Sequence, residues 1–93
     1  MKISIHVNID CDRYVYATVV REYETDLVPM IGMHFEDTAW KESRTIQGIS
    51  INPVEGYYDI YVGSDKRKDE DQCEKLKQMY LMHGWREVGA RRQ

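Results

Sequence analysis

The first ten residues, MKISIHVNID, place Ile3, Ile5, Val7 and Ile9 on alternate positions with Lys2, Ser4, His6, Asn8 and Asp10 around them. A period of two is that of a strand with one face in a core and the other in water. The short Asp10-Cys11-Asp12 turn leads directly into RYVYATVV, residues 13–20, so the first two strands are expected to form an antiparallel hairpin. In the second strand the clean division fails. Val15, Ala17 and Val19 form one file and Tyr14, Tyr16, Thr18 and Val20 the other, so either could face the core.

Further along, Ile31, Met33 and Phe35 alternate with Gly32, His34 and Glu36, which predicts a third strand over Met30–Glu36 after Pro29. The run DTAWKESR has neither strand nor helix period and reads as a long hairpin loop with Trp40 near its middle. Thr45–Asn52 has strand composition, but Ile46 and Ile49 are out of phase across Gly48, which predicts a bulge or bend there. Asn52-Pro53-Val54-Glu55-Gly56 supplies a turn. A fifth strand follows over Tyr57–Val62, with Tyr58, Ile60 and Val62 on one face and Tyr57, Asp59 and Tyr61 on the other.

The period then changes. Cys73, Leu76, Met79, Tyr80 and His83 recur at helical intervals, Asp69 three residues before Gln72 marks the helix start, and Gly84 marks its end. Leu81 and Met82 fall off this stripe and are expected under Trp85-Arg86-Glu87-Val88, a short sixth strand. The predicted fold is α+β: a curled antiparallel sheet of five or six strands, a partial barrel, closed by one C-terminal helix. Its predicted core is Ile3, Ile5, Val7, Ile9, Ile31, Met33, Phe35, Ile60 and Leu76.

At 93 residues the chain is read as a single compact domain, 1–93, with 89–93 a frayed tail that includes Arg91 and Arg92. A hydrophobic fraction of 42% and a charged fraction of 31% are those of a globular domain, and a net charge of −3 disfavours nucleic acid as a partner. The interrupted apolar pattern of the N-terminus is neither a secretory signal nor a membrane span, and two widely spaced cysteines do not make a disulfide framework. A cytoplasmic location with reduced thiols and no membrane association is the expectation.

The chain has no nucleotide-binding Gly loop, paired Cys-x-x-Cys, metalloprotease helix or nucleophile elbow. His34-Phe35-Glu36 has the form of half a zinc-deaminase motif without the other half. His6, Asn8, Asp10, His34 and Glu36 would meet on one face only if the first and third strands are neighbours, and a solvated polar face is the expected reading. Cys11 lies between Asp10 and Asp12, which disfavour a thiolate. Cys73 reads as a small core residue, and His83 as a partner for the negative helix end. The DKRKDED run, 65–71, mixes signs and reads as a solvated loop and helix start. No metal, cofactor or catalytic residue is assigned.

Tyr14, Tyr16, Tyr23, Tyr57 and Tyr61, with Trp40 on its loop, are what remains. Tyrosine and tryptophan offer rigid contact area with a polar handle. The expected function is therefore that of a small protein-interaction module without catalytic activity. It would bind a protein partner or itself, as a homodimer, through Tyr14, Tyr16, Tyr57, Tyr61 and Trp40. One alternative is single-stranded nucleic-acid binding, the same sheet tyrosines stacking bases while Arg13, Lys66, Arg67 and Lys68 meet phosphates. Another is a small metal-dependent enzyme using His6 and His34.

Overall fold

In the computed structural model, which describes residues 1–88, the opening alternation becomes β1 (Lys2–Cys11), paired antiparallel with β2 (Tyr14–Glu24). Ile5, Val7 and Ile9 are fully buried, as the period of two requires. Asp12, with φ of 56°, makes the tight turn between the two strands in the left-handed region that Asp tolerates.

The remaining elements are β3 (His34–Phe35), β4 (Arg44–Thr45), β5 (Gly48–Asn52), β6 (Tyr57–Tyr61), β7 (Asp65–Arg67), α1 (Glu70–Met82) and β8 (Arg86–Val88). The main sheet runs β5-β6-β1-β2-β8, with β7 also on β1, and β3 pairs with β4 apart from it. The α+β class with one C-terminal helix is as predicted. The pairing is mixed rather than wholly antiparallel, because β6 and β7 both run parallel to β1, and the six-stranded sheet is not closed. The DKRKDED run also differs from expectation, since its first three residues form β7.

Both α1 and the 34–47 segment cover one face of the sheet. Cys73, Tyr80, Trp85 and Ile46 join Ile3, Ile5, Val7, Ile9, Val19, Ile60 and Val62 in a single core, against which Leu76 is half-buried. The helix begins where Asp69 accepts a hydrogen bond from the Gln72 N–H at 2.8 Å, with Glu70 and Asp71 at its positive end. It ends at Gly84, whose φ of 92° suits glycine and whose Cβ, if present, would lie 3.2 Å from the Arg21 guanidinium carbon.

Three expectations about the core are corrected. Ile31 and Met33 are exposed, because Gly32, at φ 92°, breaks the strand and the Met33 N–H bonds back to the Met30 carbonyl in a turn. Strand geometry survives only over His34–Phe35, and Phe35 is half-buried. Ile46 is buried where the chain passes between the two sheets, so the predicted Thr45–Asn52 strand is two strands. At the predicted bulge, Gly48 faces Tyr61 while the Gln47 N–H also bonds the Tyr61 carbonyl. Leu81 is half-buried, but Met82 is 84% exposed rather than covered by the following strand. The predicted frayed tail, 89–93, lies outside the described residues.

These burials separate two isoleucines that the sequence places in one core. Ile5→Ala should cost about 2–5 kcal/mol in urea unfolding, and Ile31→Ala less than about 0.5 kcal/mol. Comparable losses at both sites would contradict the turn at Gly32.

Candidate protein-interaction surface

The tyrosines of β2 are turned by a bulge. Ile9 faces Ala17, yet Asp10 faces Val15, so Tyr16 is an extra residue and the parity of the strand reverses beyond it. Tyr14 then shares the face of its partner Cys11, under the helix. Its hydroxyl donates to Glu70, and that of Tyr16 donates to Glu74 at 2.5 Å. The Glu74 carboxylate raises the Tyr16 phenol to about 12 by accepting its proton in a hydrogen bond, with burial adding to the effect. Lys77 completes the strut, contacting Glu74 at 3.2 Å and Glu87 of β8 at 3.3 Å.

Tyr57 and Tyr61 stand on the opposite face, which no described helix or second sheet covers. That face carries polar cross-strand pairs: His6 Nδ1 lies 2.7 Å from Asp59, and Thr18 donates to Asn8 at 2.8 Å. The predicted tyrosine contact set is thus divided between the two sides of the sheet. His6 and His34 are divided as well, since β3 is not a neighbour of β1 and His34 Nδ1 lies 3.2 Å from Ser43. Among the described residues, no three His, Cys, Asp or Glu side chains gather as a metal site.

Trp40 is an internal strut. Its ring lies 5.7 Å from that of Trp85 and under the Arg44 guanidinium, and its Nε1 donates to the Tyr80 hydroxyl at 2.9 Å. Tyr80 in turn donates to Asp65 at 2.6 Å, where Arg44 also binds at 2.6 Å. Trp40, Arg44, Asp65 and Tyr80 line a cleft of about 430 Å³ with Lys41, Arg67 and Leu76. The Trp40 indole N–H and the Tyr80 hydroxyl are both spent within this cluster.

The neighbouring carboxylate, Asp37, is a tighter knot. Its side chain is 1% exposed, and it accepts from Arg21 at 3.0 Å, from the Ala39 N–H and Trp85 Nε1 at 2.9 Å each, and from the Tyr23 hydroxyl. Burial alone would raise its pKa, but the bonds from Tyr23, Ala39 and Trp85 and the charge of Arg21 outweigh it, holding Asp37 below the usual carboxylate range. Four donors fill the roughly four acceptor sites of a carboxylate, so no lone pair remains for a catalytic base. Cys73 is equally unreactive: burial and the adjoining Cys11 thiol push it up to about 11.

What these struts hold in place is an apolar surface. Between β2 and β3 the buried Pro29 pins a loop on which Leu27, Val28, Met30 and Ile31 are 71%, 61%, 63% and 62% exposed. The loop overhangs a groove of about 310 Å³ whose walls and floor include Ile3, Val28, Met33, Phe35 and Ile46. The alternation of Ile31, Met33 and Phe35 disguised this surface as a strand. Pro29 and Gly32, bracketing Met30-Ile31, were the signal that could have revealed a turn.

Comparison with known proteins adds no second line of argument: no family model, curated protein or solved structure matches the chain. No helix among the described residues is long and apolar enough to cross a membrane.

The Asp37 knot contributes to the response to acid, as does Glu74, which hydrogen bonds from Tyr16 and Gln78 also hold below the usual carboxylate range. The folded pKa of Asp37 is depressed, so its stabilisation is present above the unfolded value, about 3.9, and is lost as pH falls through the folded value. Tyr23 and Tyr80 are both raised, first by burial and then by their carboxylate partners, and their contribution is lost at the other end, as pH rises beyond about 10. Asp37→Ala should cost about 3–5 kcal/mol by leaving Arg21 without its buried partner. The urea midpoint of the wild type should fall below about pH 4, and Asp37→Asn should flatten that slope. An unchanged slope in Asp37→Asn would mean that other carboxylates control the acid limb.

Proposed function

We propose that this chain is a protein-interaction module that acts by binding, and that its main contact surface is the Leu27–Met33 loop with the groove beneath it. The observation that carries this reading is the exposure of four large apolar side chains within Leu27–Ile31 on a loop anchored by Pro29. An exposed apolar patch beside a concave apolar floor is a mark of a protein or ligand contact, whereas single exposed apolar residues need no explanation. The matching partner is a segment of another protein that presents apolar side chains, with Met30 and Met33 supplying adaptable contact area.

The open sheet face is the weaker candidate, because Tyr57 and Tyr61 there flank paired polar groups rather than apolar ones. Binding of single-stranded nucleic acid is less well supported still. Tyr14 and Tyr16, two of its four stacking rings, are engaged with Glu70 and Glu74, whose charge repels phosphate.

Peptide-display selection on the purified protein tests the proposal. Selected peptides should be apolar, and Leu27→Asp or Ile31→Asp should weaken them by at least about tenfold, or about 1.4 kcal/mol, while Tyr61→Asp leaves them bound. Peptides that bind the loop variants as well as the wild type would move the contact surface elsewhere.

A further inference from the structure

β5 ends the sheet, and its sequence, Gly48-Ile49-Ser50-Ile51-Asn52, contains no charge and no proline. Edge strands are ordinarily blunted by charged side chains, proline or a covering element. The opposite edge conforms: β8 carries Arg86 and Glu87, with Arg86 3.7 Å from Glu22 of β2. β7 is composed of Asp65, Lys66 and Arg67. β5 has no such protection, and among the described residues no strand pairs with its outer side.

The ladder fixes which backbone groups are free. Lys2 N–H bonds the Gly56 carbonyl, and β1 pairs parallel with β6 in the register Lys2↔Tyr57. In that register Tyr58 and Ile60 turn their backbone groups toward β1, and Tyr57, Asp59 and Tyr61 turn theirs toward β5. Their partners Asn52, Ser50 and Gly48 answer inward. The N–H and C=O groups of Ile49 and Ile51 therefore point off the edge.

We infer that β5 is a self-association edge, pairing antiparallel with β5 of a second copy about a two-fold axis through Ser50. In this arrangement Ile49 faces Ile51 of the second copy, and the reverse, so all four outward N–H groups meet outward carbonyls. Ser50 meets its own image at the central non-hydrogen-bonded position. Ile49 and Ile51 share the face that the core occupies, so pairing covers Ile51, which is 57% exposed in the single chain. A surface that meets its own copy must be neutral or carry both signs, and GISIN is neutral throughout. An unrelated extended peptide could use the same backbone groups, but it lacks the two-fold match between Ile49 and Ile51. The inference concerns a different edge from the groove and does not depend on what the groove takes.

Ser50 is exposed, and its substitution leaves the ladder to β6 intact. Sedimentation equilibrium from micromolar to millimolar protein should show a reversible dimer for the wild type. Ser50→Lys and Ser50→Glu should each weaken it by at least about tenfold, because like charges then face each other across the axis. An equimolar mixture of the two should dimerise again, and Leu27→Asp should dimerise as the wild type does. Circular dichroism on the same samples should show every variant folded, and amide exchange at Ile49 and Ile51 should slow as wild-type concentration rises. A wild type that stays monomeric throughout would overturn the inference. So would a Ser50→Lys protein that dimerises undiminished, or a dimer lost in Leu27→Asp, which would place self-association at the groove.

Discussion

The Asp37 carboxylate joins stretches of chain that the sheet ladder does not connect. Through Arg21 and Tyr23 it holds the segment after β3 to β2, and through Trp85 it holds that segment to the turn beyond α1. Arg21 also donates to the His83 carbonyl at 2.5 Å, so the same guanidinium ties the helix C-terminus to the knot. Placing a buried carboxylate with one ion pair and three further hydrogen bonds in a core this small is favourable only if the polar groups are satisfied. Four donors around one carboxylate meet that condition, and the penalty for losing any of them is correspondingly large.

A second knot of Tyr80, Asp65, Arg44 and Trp40 repeats this solution on the other side of the 34–47 segment. Together the two knots explain how a segment with only two residues of strand at each of β3 and β4 keeps a defined position over the sheet. They also commit the aromatic residues nearest the core to internal contacts. Trp40, Tyr23 and Tyr80 have their polar atoms committed internally, and the bulge at Tyr16 draws Tyr14 and Tyr16 to the helix. The apolar side chains left outside belong to the loop just before the first knot.

What was legible in the sequence was local. β1 could be read because Ile3 to Ile9 alternate without a break, and α1 because Asp69, the Cys73-to-His83 stripe and Gly84 agree on one helix. The break between β4 and β5 falls where Ile46 and Ile49 change phase. What could not be read depends on partners distant in the chain. The parallel pairing of β6 with β1 leaves no mark on the period of either strand, and the bulge that reverses Tyr14 and Tyr16 exists only in the register with β1. The Leu27–Met33 surface was hidden for a different reason. Alternation reports a strand only when one file is buried, and here Gly32 turns Ile31 and Met33 outward and leaves only Phe35 of that file against the core.

The central claim is that this loop is a contact surface held ready by a rigid core, and its methionines make it directly observable. Met30, Met33 and Met82 are all exposed, but only the first two belong to the loop. With the methionine methyl groups isotopically labelled, a display-selected apolar peptide should be titrated in while methyl NMR signals are recorded. The account predicts saturable shifts at Met30 and Met33 with Met82 unmoved. Shifts centred on Met82, or equal small shifts at all three, would contradict it.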